Sequence, residues 1–204
     1  MARSQRQRER HLGLLRAARS AVIAHGPEVK LSQIAEHAGL TASAVLYHYP
    51  DVQTLVLEAN RAGMERFYDQ RMKAIEGLAD PAERLIMTIR SGLPVDGEDE
   101  AVQLFCALGG AAARHPMYGA LLTTLYDRQV AMYQVILESG ASGGGFELTH
   151  GALAVARNLV ALEDAYGYRI VAGHPTIANG VATDLILEYA RAATGHPLNP
   201  KETT

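Results

Sequence analysis

Cysteine is almost missing from this chain: Cys106 stands alone in 204 residues. One cysteine excludes an internal disulfide and a cysteine-based zinc site, and it fits a reducing, cytoplasmic setting. Long apolar runs are missing too. None approaches the roughly 18 residues of a membrane span, so no membrane partner is expected. The N-terminus is charged and lacks the apolar core of a signal peptide. The eight histidines form no HxxxH or HExxH pair, so no metal site is expected. No glycine-rich loop follows a strand, which leaves no nucleotide cradle and no expected cofactor. Gly143-Gly144-Gly145 reads as a linker. Cys106 sits beside Leu104, Phe105 and Leu108 and reads as a small buried hydrophobe rather than a nucleophile. No catalytic residue emerges, and the chain is not expected to be an enzyme. Strand alternation and internal repeats are absent as well.

What is present is helical. Hydrophobic residues make up 48% of the chain, enough for a core. The organising stretch is KLSQIAEHAGLTASAVLYHYPD, from Lys30 to Asp51. Ile34, Ala35 and Ala38 place apolar groups on one face of a short helix, with Ser32 as its expected N-cap. Gly39 ends that helix because glycine accepts positive φ freely. Leu40 is expected to plug the turn, and Thr41 to cap the next helix. Ala42 to Tyr49 form that second helix, and Pro50 stops it. Val45 and Tyr49, four apart, should face inward. Two helices joined by about 3–4 residues with a glycine in the turn make a helix-turn-helix, whose second helix enters the DNA major groove. Ala42, Ser43 and Ala44 are small enough to let that helix approach base edges. Its first-turn amides favour a phosphate, and Tyr47 and His48 carry groups that bond phosphate oxygens.

The charge supports a nucleic-acid partner once it is divided. The whole chain carries −3. Residues 1–50 hold seven Lys and Arg against three acids, a balance of +4. Positive charge therefore sits on the segment with the DNA-binding pattern. Arg3, Arg6 and Arg8 either reach phosphates and a minor groove or form a solvated tail.

The remaining pattern predicts an all-α chain of about nine helices. Met1 to about Gln5 reads as disordered, and Arg6 to His25 as helix 1, with Leu12, Leu15, Ala18 and Val22 as its buried stripe. Asp51 caps a long fourth helix that runs from Val52 to about Glu76. Asp80-Pro81 opens the fifth helix, to Leu93. Glu100 to His115 and Met117 to Ser139 form the sixth and seventh. Thr149 caps the eighth, ending near Ala172, and Thr176 caps the ninth, ending near Thr194.

The body offers a small-molecule site rather than a catalytic one. Phe105, Tyr118, Tyr126, Tyr133, Tyr166 and Tyr168 either wall a pocket or fill core and interface, since tyrosine gives apolar area plus one directional hydroxyl. Helix 8 contains Arg157, Asn158, Glu163 and Asp164 in an apolar setting. A buried carboxylate needs a partner. Either one acid faces water, or one pairs with Arg157 or Arg169, or one awaits a cationic or hydrogen-bonding ligand. Helices 8 and 9 also show apolar stripes suited to a homodimer interface: Val155, Leu159, Leu162, Ile177, Val181, Leu185 and Tyr189.

Ile34, Ala35, Ala38, Gly39, Thr41, Tyr47, His48, Tyr49 and Pro50, between a first helix and an acid-capped fourth, resemble the N-terminal domain of the TetR (tetracycline repressor) family of transcriptional regulators. The resemblance covers roughly the first 60 residues. It implies a DNA-binding domain over 1–50 and a ligand-binding and dimerisation domain over 51–204, with 51–76 as connecting helix. It also implies a homodimeric regulator, a repressor that binds a palindromic double-stranded operator and is released by a small-molecule effector. Family members often carry lysine where this chain has Ala42 and Val52, so the matching contacts are either missing or supplied by Ser43, Thr54 or the basic arm. The expected DNA contacts are Arg6, Lys30, Thr41, Ala42, Ser43, Ala44, Tyr47, His48 and Thr54. The alternative is a helical small-molecule-binding protein or enzyme that has lost specific DNA recognition.

Overall fold

A computed structural model describes the backbone of residues 2–199 and the side chains of residues 5–199. Among the described residues there are nine helices and no strand. They are α1 (Ala2–His25), α2 (Leu31–Ala38), α3 (Ala42–His48), α4 (Val52–Ala74), α5 (Pro81–Gly92), α6 (Glu100–Ala111), α7 (Pro116–Ser142), α8 (Ala152–Val171) and α9 (Asn179–Thr194). The chain divides into two compact units. One comprises the chain up to Arg66 together with Gln103–Thr123, and the other comprises Phe67–Val102 together with the chain from Thr124.

The first unit is built on α1, whose Leu14, Leu15, Ala18, Ala21 and Val22 are buried. Ile34 and Ala35 of α2, Val45 of α3, and Leu55, Val56 and Ala59 of α4 are buried in the same unit, where α1 packs on α2 and α2 on α3. Leu12 is exposed, contrary to expectation, because the buried stripe runs through pairs of adjacent residues two positions further on. Helix α1 also starts earlier than the sequence suggests, at Ala2; Met1 lies outside the described residues.

Local chemistry explains most helix ends. Gly39 adopts φ 63°, and its N–H and that of Leu40 bond back to carbonyls of Glu36 and Ala35, closing α2. Thr41 accepts a hydrogen bond from the Ala44 N–H at 3.2 Å and caps α3. Asp51 accepts from the Thr54 N–H at 2.7 Å and the Thr54 hydroxyl at 2.8 Å, capping α4. Three expected caps are displaced. Lys30, not Ser32, precedes α2, and the Lys30 N–H donates to the Gln33 side chain at 2.8 Å. Gly151 precedes α8, while the Thr149 N–H donates to the Ala193 carbonyl at the end of α9. Ala178 precedes α9, and the Thr176 N–H turns to His174. Leu40 does not plug the turn but lies exposed.

The second unit has a core from α5, α7, α8 and α9. Leu85, Ile89, Tyr133, Ile136, Leu137, Leu159, Val160 and Ile186 are fully buried in it.

Candidate nucleic-acid interface and buried polar cluster

Helix α3 presents two faces. Val45 is buried, and Tyr49, just past the helix, is buried beneath α1. The Tyr49 hydroxyl pairs with His11 Nδ1 at 3.0 Å, and His11 Nε2 lies 3.2 Å from Glu58 on α4. This chain of contacts fastens the end of α3 to α1 and α4. Burial, reinforced by Glu58, pushes the Tyr49 phenol well above its ordinary value, so it stays protonated. On the opposite face Ser43 and His48 are exposed and Tyr47 is 86% exposed. The Tyr47 and His48 rings meet edge-to-face at 5.2 Å. A tyrosine held this far into solvent gains nothing from burial, which leaves its ring and hydroxyl for a partner.

The other expected DNA contacts divide. Ala42 and Ala44 are half-buried; Lys30, Thr41 and Arg6 are exposed. Thr54 spends its hydroxyl on Asp51, so capping already explains it. Arg10, Arg16 and His37 were not singled out from sequence. With Leu40, Ala44 and His48 they line a groove of about 560 Å³ between α1 and the helix-turn-helix. Helical periodicity places Arg10 and Arg16 on α1 but says nothing of the neighbour they face.

The expected effector residues are divided between the two units. Phe105 and Tyr118 belong to the first unit, the others to the second. Tyr118 is buried there, its hydroxyl donating to the Pro27 carbonyl at 3.2 Å. Burial, with Glu28 nearby, raises its phenol. In the second unit Arg157, Asn158 and Tyr168 are exposed. Asn158 donates to the Tyr189 hydroxyl at 2.8 Å. Tyr126 and Tyr166 are half-buried against the core.

Tyr133 and Glu163 do come together, around a residue that sequence reasoning missed. Arg71, near the end of α4, is 1% exposed and Glu163 is 2% exposed. The guanidinium grips the carboxylate with both arms, Nη2 to Oε1 at 2.7 Å and Nη1 to Oε2 at 2.9 Å. Nη2 also donates to the Thr88 carbonyl of α5 at 3.0 Å, and the Tyr133 hydroxyl of α7 donates to Glu163 at 2.5 Å. The rings of Phe67 and Tyr133 each lie 5.6 Å from the guanidinium carbon. The partner of Glu163 is therefore neither Arg157 nor Arg169, and the carboxylate is not free for a ligand. Burial pushes the Glu163 carboxyl up, and Arg71 and Tyr133 pull it back. Asp164 turns away. Much of it is open to solvent, yet desolvation lifts its carboxyl to about 6 against an opposing pull from Arg71.

The expected dimer surface also divides. Val155 and Leu159 are spent in the chain's own core, so they cannot serve an interface. Leu162, Ile177 and Tyr189 are half-buried. Val181 and Leu185 of α9 are 44% and 37% exposed, with Leu153 and Tyr168 of α8 and Val135 of α7 also exposed. Among the described residues no group of three His, Cys, Asp or Glu could hold a metal ion, and no helix is long and apolar enough to cross a membrane.

No protein-family model matches the sequence, and neither does any curated protein. Solved structures do match. A Saccharomonospora viridis protein assigned as a transcriptional regulator, in complex with choline, superposes with TM-score 0.83 at 21% identity, covering 91% of this chain and 97% of that one. A TetR transcription regulator from Haloarcula marismortui gives TM-score 0.80 at 21% identity, covering 91% and 98%. The ketosteroid regulator KstR2 of Mycobacterium tuberculosis gives 0.69 at 18%, covering 91% and 95%. The arrangement of the nine helices among the described residues is the fold of the TetR-type transcriptional regulators.

Proposed function

We propose that this protein is a ligand-responsive, DNA-binding transcriptional regulator, a repressor that holds a palindromic operator as a homodimer. The observation that carries the reading is α3: a Thr41-capped helix with Tyr47 and His48 on its open face, anchored from behind by Val45 and Tyr49. It lies in the segment of net positive charge. We keep residues 1–50 as the DNA-reading domain and 51–204 as the effector and dimerisation domain, with α4 as the connecting helix. Arg10 and Arg16 join the expected contacts as phosphate-binding groups.

Exposed Val181 and Leu185, one turn apart on α9, support a two-fold interface built from α8 and α9. Such a dimer would present two recognition helices about 34 Å apart. The choline held by the Saccharomonospora protein supports a small organic effector here. The effector can release DNA only by as much as it prefers the non-binding state.

The test is a gel shift on DNA from upstream of the gene. Wild type should form a discrete complex that Tyr47→Ala and His48→Ala each weaken at least about ten-fold, the loss of roughly 1.4 kcal/mol. Equal, weak binding by all three proteins would favour a helical ligand-binding protein that no longer reads DNA, the reading Ala42 and Val52 suggest.

A further inference from the structure

We propose that the Arg71–Glu163–Tyr133 cluster is a register lock, which holds the last two turns of α4 at one fixed seat on α5, α7 and α8. The idea rests on the regulator reading for its purpose, though not for its test.

Stability does not explain the cluster. A fully buried ion pair is often matched or bettered by apolar residues of similar volume. The guanidinium is not even fully satisfied: among the described residues Arg71 Nε has no partner. Geometry explains it better. A planar fork gripping a carboxylate with both arms has one docking position. Here that position is fixed from three sides, by Glu163 of α8, Tyr133 of α7 and the Thr88 carbonyl of α5. Apolar helix faces can instead repack in more than one register, as sliding and one-turn shifts of packed helices show.

Gly92 is the second observation. It closes α5 directly over the ion pair. A Cβ added there would overlap Glu163 Oε1 and come within 2.7 Å of Arg71 Nη2. Any side chain at position 92 must move the clasp. The residues that close around Arg71 are thus committed to one arrangement. Arg71 itself belongs to an uninterrupted helix whose first turn is capped by Asp51, next to the recognition helix. A fixed seat for α4 is what an effector would need to bias.

Two variants test this by different routes. The triple change Arg71→Met, Tyr133→Phe, Glu163→Leu keeps volume and removes the fork. Gly92→Ala keeps every charged group and pries the clasp apart. Thermal unfolding and amide hydrogen exchange over residues 67–74 are measured on the full chain, with binding to the upstream fragment alongside. The triple variant should melt at or above the wild-type midpoint, yet exchange over 67–74 should speed up about ten-fold or more. Gly92→Ala should show the same local acceleration. Upstream-DNA affinity should shift in both. Wild-type exchange rates in both variants would overturn the proposal. So would a triple variant melting more than about 5 °C lower, because the cluster would then be a source of stability. If the triple variant does not fold, Gly92→Ala alone decides by the same exchange criterion. Failure of wild type to bind DNA would end the regulator reading and leave the exchange result to judge the lock.

Discussion

Glu163 and Asp164 are neighbours in sequence and opposites in environment. Adjacent helical residues point about 100° apart, so one enters the core and the other does not. That much is legible in the sequence, as is the need of a buried carboxylate for a partner. The partner itself is not, because Arg71 lies 92 residues away and no local pattern records that distance. Asp164 gives a pH prediction. Its carboxyl is raised from 3.8 to about 6 on folding, so the native state binds more protons between those values. Its contribution to stability is therefore highest below pH 4 and falls as pH rises through 6. Asp164→Asn should remove that component: denaturant midpoints of variant and wild type should converge near pH 4, and the variant should be the more stable at pH 7. Asn60 gives a second. It is fully buried, and neither atom of its amide has a hydrogen-bond partner among the described residues. An unsatisfied buried group costs about 1–3 kcal/mol, so Asn60→Leu should raise stability by about 1 kcal/mol in chemical denaturation.

At the scale of the element, helix ends with one strong local signal read correctly. Thr41, Asp51 and Gly39 each act through residues within a few positions, so sequence holds the whole interaction. Ser32, Thr149 and Thr176 are plausible caps by type but lose to other uses. The Thr149 N–H, for example, satisfies a carbonyl at the end of α9, a partner 44 residues distant. Leu12 and Leu40 fail for a related reason. Apolarity predicts burial only if a neighbour covers the residue, and none does so fully. The turn itself is open to test. Thr41→Ala should cost about 1 kcal/mol of stability by loss of the cap. Gly39→Ala should cost a similar amount, because its φ of 63° disfavours a Cβ. Both are read from urea midpoints, and no loss in either would remove the local account of the turn.

Across the whole molecule, the nine helices among the described residues stand in the order the sequence predicts, because stop signals such as Gly39, Pro50 and Gly195 separate them. The grouping of Gln103–Thr123 with the N-terminal helices was not legible, since it depends on packing between segments far apart in the chain. The proposed dimer would give exposed Val181 and Leu185 a purpose. Val181→Glu with Leu185→Glu should leave the fold intact, halve the mass seen by sedimentation, and weaken operator binding by removing the second recognition helix. A dimer that survives both charges would move the interface elsewhere. Sequence recognition by α3 is the central claim of the regulator reading. It is tested most directly by equilibrium binding to the upstream fragment and to a scrambled copy, in 50 and 200 mM salt, with wild type and Tyr47→Ala. Recognition requires wild type to favour the upstream fragment by about 10³-fold or more, with both affinities falling steeply with salt, and Tyr47→Ala to lose most of that preference. Equal affinity of wild type for both fragments, unchanged by Tyr47→Ala, would contradict it.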